Sequence, residues 1–261
     1  MQTTFIDFLP KFFPTTATSI LEKARQRLWV DGRWNGLPET INPETDIYQY
    51  FVTVMNNILQ ARELHTSATW HSHAQKSPTG AIAKRKPDIF LLDTQKVPKS
   101  KTGTIHWRDV LVVGELKQSD ANNSKADMQL ASYAREVFGA QMNRRFVFGI
   151  TICGFRMRVW LFDRAGGISS QTFNINDDPK AFLNVIIGFA TMYRDDRGAL
   201  GYDMTISSSR NGIGAITVGS KGFILDEIVY SHPVVSGRAT ICWKAHKQSE
   251  PGTVYAIKDS W

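Results

Sequence analysis

Five side chains between Pro87 and Tyr133 are of types that could do chemistry together. Asp88 follows a proline in KPDIFLLD. Glu115 and Lys117 sit two apart in LVVGELKQS. Gln129 and Tyr133 sit four apart in MQLASY. Hydrolysis of a phosphodiester needs a nucleophilic water and neutralisation of the charge at phosphorus. Two carboxylates can hold one or two divalent ions for that purpose. Mg²⁺, or Mn²⁺ in its place, takes oxygen ligands and keeps several waters, so few protein carboxylates suffice. A lysine beside the ion can orient or deprotonate the attacking water and stabilise charge.

The elements that must position these residues can be read from periodicity. Asp88-Ile-Phe-Leu-Leu reads as a buried strand. Val110 to Leu116 is nearly all apolar, as a central strand covered on both faces would be. Side chains two apart in a strand share a face. Glu115 and Lys117 therefore project together, with Leu116 turned into the core and its backbone carbonyl placed as an extra metal ligand. Asp88 joins them if its strand pairs with 110 to 117. Residues 125 to 141 carry helical spacing in Met128, Leu130, Ala131, Tyr133, Ala134, Val137 and Phe138. Gln129 and Tyr133 share one face of that helix.

A blander reading stands beside this one. Pro-Asp often opens a strand, and Glu-x-Lys is the ordinary look of a solvated strand edge. Glu115, however, ends a run too apolar to leave a charge there by default, and such charges tend to be paired or functional.

Pro87-Asp88 with Glu115-Leu116-Lys117 resembles the motif of the PD-(D/E)xK nuclease superfamily. Gln129 and Tyr133 resemble the Q-x-x-x-Y motif of its RecB-like branch. The resemblance covers roughly residues 40 to 165. It implies an α/β, restriction-endonuclease-like fold, a mixed sheet flanked by helices. It implies Asp88 and Glu115 as metal ligands and Lys117 as the catalytic lysine. Gln129 and Tyr133 would contact DNA or buttress the site. An acid from the first core helix often joins such a site, and Glu44 and Asp46 are the candidates.

The rest of the chain sets limits. The 261 residues suffice for one large domain or two small ones. No apolar run approaches the roughly 18 to 20 residues of a membrane span. MQTTFIDFLPKFFP lacks a basic leading segment and reads as a packed or peripheral stretch. Cys153 and Cys242 read as buried free thiols of a reducing compartment, so an intracellular protein, cytoplasmic or nuclear, is expected. The charge of +7 suits a polyanionic partner, with DNA favoured, without specifying one. A basic rim is expected from Lys84, Arg85, Lys86, Lys99 and Lys101.

Helices are expected over 17 to 30, 44 to 64 and 179 to 193. Residues 65 to 86 read as a loop or irregular strand, with His65, His71 and His73 solvated in it. RRFVFGITIC and RMRVWLFDR, joined by Gly154-Phe155, read as a hairpin. The Gly-, Ser- and Asp-rich stretch 194 to 220 reads as a seam. It divides an α/β domain over 1 to 205 from a β segment over 206 to 261.

Taken whole, the chain resembles the N-terminal part of a fungal-type protein kinase. The resemblance rests on HWRDVLVVGELKQS, QLASYAREVFGAQMNRRFVFGITICG, VWLFDRAG, LGYDMTI and GRATICWKAH…YAIKDSW. It implies that the last stretch is the start of a kinase N-lobe. Val235-Ser-Gly237-Arg-Ala-Thr would be the turn over the ATP phosphates, and Lys258 the strand lysine that pairs with them. Only Gly237 represents the glycines of that turn. Neither an H-R-D loop nor a D-F-G site occurs in these residues, so phosphoryl transfer by this chain alone is not expected. Ile241, Trp243, Val254 and Ile257 would need cover from residues 1 to 205, from a protein partner or from the missing part of a kinase lobe. Three functions follow. One is a Mg²⁺- or Mn²⁺-dependent DNA hydrolase. Another is an inactive docking or regulatory module of a kinase. The third is a protein kinase, should the natural chain continue beyond Trp261.

Overall fold

In the computed structural model, residues 2–14, 18–41, 44–60, 64–72, 76–98, 103–119, 123–208, 214–231 and 237–260 are described. The chain starts with β1 (Gln2–Thr4), α1 (Phe8–Phe12), α2 (Thr18–Leu28), a small ribbon of β2 (Trp29–Val30) and β3 (Arg33–Trp34), and α3 (Glu44–Leu59). Next come β4 (Ala68–Ser72), β5 (Ile89–Asp93), β6 (Val112–Lys117), α4 (Asn123–Ala140), β7 (Val147–Cys153) and β8 (Arg156–Phe162). The α/β part closes with β9 (Gly167–Ser169), β10 (Phe173–Asn174) and α5 (Pro179–Asp195). The remainder is β11 (Ile206–Ser208), β12 (Gly214–Val218), β13 (Lys221–Ser231), β14 (Ile241–Lys247) and β15 (Glu250–Asp259).

The main sheet runs β1-β9-β8-β7-β6-β5-β4, with β10 added against β8. It is mixed. β6 and β7 are parallel, as are β1 and β9, and the other pairs are antiparallel. Parallel neighbours need a long crossover, which α4 supplies between β6 and β7. This is the mixed α/β sheet with flanking helices that the sequence leads one to expect.

Strand alternation divides the core in two. Ile89, Leu91, Val112, Leu116, Ile150 and Ile152 point to the side covered by α2, α3 and α5. Phe90, Leu92, Val113, Val147 and Phe162 point to the side covered by α4. The helices are specified locally as well. Asp178 caps α5, its side chain accepting from the Ala181 N–H at 3.0 Å, and Pro179 takes the first turn, where no N–H is needed. The leading segment is packed, with Phe8 and Phe13 buried. Among the described residues, no helix is long and apolar enough to cross a membrane.

The last strands form a separate antiparallel sheet in the order β11-β12-β13-β14-β15. Its core is Ile206, Ile216, Phe223, Leu225, Ile241, Trp243 and Ala245, with Met142 of the α/β part packed against it. Residues 194–220 thus contain two strands where composition suggests only a seam. Val254 is the second difference, because it is 64% exposed and takes no part in this core. The register pairs Trp243 with Ile257 and Ala245 with Tyr255, so Val254 falls on the opposite face. His71 departs from the loop reading too. It lies on β4, its ring centroid 5.8 Å from that of Phe90, whereas His65 is exposed and His73 lies outside the described residues.

Candidate active site

β5 and β6 pair antiparallel with Ile89 opposite Gly114, Phe90 opposite Val113 and Leu91 opposite Val112. One further step in this register sets Asp88 opposite Glu115. Opposed residues of an antiparallel pair point to the same face. That face is the α4 side, since Phe90 and Val113 also point there. Gly114 is what lets the strands close at this point. A Cβ at that position would lie 2.5 Å from Ile89 Cγ1 and 3.1 Å from Ile150 Cγ1.

The two acids are buried, Asp88 at 8% exposure and Glu115 at 1%. Asp88 Oδ2 accepts from the Leu116 N–H at 2.8 Å. Lys117 Nζ donates to Glu115 Oε1 at 2.6 Å, and Tyr133 donates from α4 to Glu115 Oε2 at 2.8 Å. The same hydroxyl lies 2.9 Å from the Lys86 carbonyl oxygen. α4 can come this close because β7 carries Gly149, where a Cβ would stand 3.0 Å from Leu130 Cδ2.

Electrostatics follow from this crowding. Burial, then the charge of Glu115, pushes the Asp88 carboxyl up to about 7, against the pull of the Leu116 N–H and of Lys117. Burial also drives the Tyr133 phenol well above its ordinary range, with Glu115 and Asp88 adding to the effect. Tyr133 is therefore a donor at any ordinary pH.

Asp88, Glu115, Lys117 and Tyr133 are thus brought together, with Leu116 between the acid and the lysine and its side chain in the opposite core. Gln129 is one turn before Tyr133, half-buried, and its Oε1 is buried without a hydrogen-bond partner. The side chains of Glu44 and Asp46 lie outside the described residues. Among the described residues, no group of three or more His, Cys, Asp or Glu could hold a metal ion.

One contributor escaped the sequence reading. Glu136 is buried on α4, three residues after Tyr133, and its Oε2 accepts from the N–H groups of Ile82 at 2.5 Å and Ala83 at 3.2 Å. Glu136 and Tyr133 together fasten the segment that carries exposed Lys84, Arg85 and Lys86 up to Asp88. Lys99 and Lys101 lie outside the described residues.

Before β14, Gly237 has a φ of 118°, a region that favours glycine, and its N–H donates to the Arg164 carbonyl at 3.0 Å. Val235 lies outside the described residues. Lys258 is exposed on β15 opposite Cys242, on the face away from Trp243.

No curated protein and no solved structure matches the chain. A family model described as Fungal protein kinase matches residues 86–261, which takes in the acidic pair, α4, the main sheet apart from β1 and β4, and the whole second sheet. With more than half of its length matched, the chain belongs to the fungal protein kinase family.

Proposed function

We propose that Asp88, Glu115 and Lys117 form a divalent-metal site that hydrolyses phosphodiester bonds in DNA. Two facing, buried carboxylates carry this reading. Confining two acids with mutual repulsion in a dry site costs stability, and a well-packed apolar pair would be at least as stable. A cation removes the repulsion, and the donors on hand are the hard oxygens that Mg²⁺ or Mn²⁺ takes.

Asp88 and Glu115 would hold the ion, with the Leu116 carbonyl as a further ligand. The ion would supply charge neutralisation at the phosphoryl oxygens and a water of lowered pKa. Lys117, whose side chain is 14% exposed, stands where it can orient that water and balance charge. Tyr133 fixes one oxygen of Glu115. Gln129 brings an unspent acceptor to the same helix face. Lys84, Arg85 and Lys86 supply an exposed positive stretch for the phosphate backbone.

A second reading, a docking or regulatory module within a kinase, draws on the same contacts. Both Glu115 oxygens already have donors, and almost none of the residue meets solvent. ATP at Gly237 and Lys258 belongs to a third reading, which needs the catalytic and metal-binding motifs that these residues lack.

Calorimetric titration of Mg²⁺ and of Mn²⁺ separates the first two. Saturable binding that disappears in Asp88→Asn and Glu115→Gln supports the hydrolytic site. No heat from either ion with the folded wild-type chain would favour the docking module.

A further inference from the structure

α4 and the segment laid beside it divide their charges by burial. The acids of α4 and of residues 76–88 are Asp88, Asp127 and Glu136, and all three are buried. Each is answered from within the fold. Asp88 accepts from the Leu116 N–H, Asp127 from Arg158 Nη1 at 2.9 Å, and Glu136 from the N–H groups of Ile82 and Ala83. The cations Lys84, Arg85, Lys86 and Lys125 are exposed, and among the described residues no carboxylate pairs with them. The first turn of α4, which holds Lys125, contains no acid. A surface whose exposed charges share one sign draws ions of the other.

Contacts fix where these cations stand. Glu136 holds Ile82 and Ala83, and Tyr133, nearer the start of α4, holds the Lys86 carbonyl. The segment therefore runs along α4 toward the helix start, with Lys84 and Arg85 between the two contacts. Tyr133 also meets Glu115, so the acidic pair lies at the Lys86 end. Residues 133, 129 and 125 follow at intervals of four on one flank of the helix. Lys125 thus stands about 12 Å beyond Tyr133, at 1.5 Å of rise per residue. The point where Tyr133 meets Glu115 has Lys84 and Arg85 on one side and Lys125 on the other. A row of this length suits an anion of repeating charge. A B-form strand advances about 3.4 Å per nucleotide, so the interval from Tyr133 to Lys125 matches about three to four nucleotides.

We infer that Lys125 contacts backbone phosphate and, with Lys84, Arg85 and Lys86, seats one DNA strand across the acidic pair. The choice of DNA as occupant rests on the hydrolytic reading above. Contacts of this kind position the strand without reading its sequence.

Fluorescence anisotropy with a labelled DNA duplex tests this in EDTA, where binding is read apart from cleavage. The wild-type chain binds, more weakly as salt is raised. Lys125→Ala makes the slope of log affinity against log salt shallower by about 1, whatever the sequence of the duplex. Lys84→Ala, Arg85→Ala and Lys86→Ala combined make it shallower by about 3. Lys180 is exposed on α5, on the other side of the main sheet, so Lys180→Ala removes the same charge and leaves the slope at the wild-type value. A folded wild-type chain that does not bind the duplex, a slope unchanged in Lys125→Ala, or a slope lowered equally by Lys180→Ala would overturn the proposal. The two readings fail separately. Duplex binding with these slopes but no nicking with Mg²⁺ sinks hydrolysis and keeps the seat. Nicking with Mg²⁺ but an unchanged slope in Lys125→Ala sinks the seat and keeps hydrolysis.

Discussion

Tyr133, on a helix, donates to Oε2 of Glu115, on a strand, across 2.8 Å. The contact joins α4 to the central strand at the point where the acidic pair is buried. Tyr133→Phe removes the donor and leaves a carboxylate oxygen buried without it. A loss of about 1–3 kcal/mol is expected, the usual range for hydrogen bonds to charged groups. Urea unfolding of the variant against the wild type measures it, and an unchanged midpoint would deny the contact its weight.

Asp88 gives the chain a signed pH dependence. Its carboxyl is held up to about 7 in the folded chain, against 3.8 ordinarily. Below about pH 4 both folded and unfolded chains carry the proton. Between about 4 and 7 the unfolded chain releases it and the folded chain keeps it. Stability from this group therefore falls as pH rises through that window, and the loss levels off above it. A fall of about 1 kcal/mol or more is expected in urea titrations, with a flatter profile in Asp88→Asn. If the pair holds a metal, Mg²⁺ competes with the same proton, and its affinity weakens by up to about tenfold per pH unit below about 7.

Much of this arrangement was legible beforehand, for a definite reason. Strand period places Glu115 and Lys117 on one face whatever the tertiary fold, and helix period does the same for Gln129 and Tyr133. The pairing of β5 with β6 then sets Asp88 beside them. Long-range contacts leave no such trace. Glu136 looks like a surface acid of an amphipathic helix until the segment at Ile82 is laid across it. Arg144 looks like one more solvated cation in NRRF until burial isolates it. β11 is hidden because two of its three residues are serines, and β12 because it is only five residues long within a glycine- and serine-rich stretch; the pairing of β11 with β12 and of β12 with β13 arises in the sheet. Val254 was misgrouped because a strand's inward face depends on its register, which spacing within a single strand does not determine.

Glu136→Ala releases the N–H groups of Ile82 and Ala83 from their common acceptor. Faster tryptic cleavage after Lys84 and Arg85 is expected under conditions where the global unfolding midpoint shows the chain folded. Local release of this kind exposes a segment at less cost than global unfolding. Cleavage at the wild-type rate would mean that Tyr133 and the strand pairing hold the segment without Glu136.

Gly114→Ala places a methyl against Ile89 and Ile150, on the sheet face opposite the one that carries Glu115. Overpacking of this type costs about 1–3 kcal/mol, and the register that opposes Asp88 to Glu115 is what it strains. Thermal denaturation reads the stability. Loss of any Mg²⁺ binding in a variant that still folds would show that the ligand pair depends on that close approach.

Plasmid nicking by the purified chain decides whether Asp88, Glu115 and Lys117 form a hydrolytic site. Wild type, Glu115→Ala and Lys117→Ala are compared with Mg²⁺, with Mn²⁺ and with EDTA. Nicking by the wild type with either ion is expected, none with EDTA, and a loss of at least about a hundredfold in both variants, as removal of a general base or metal ligand produces. A folded wild-type chain that leaves the plasmid intact with both ions, or nicking that persists in both variants, would contradict that assignment.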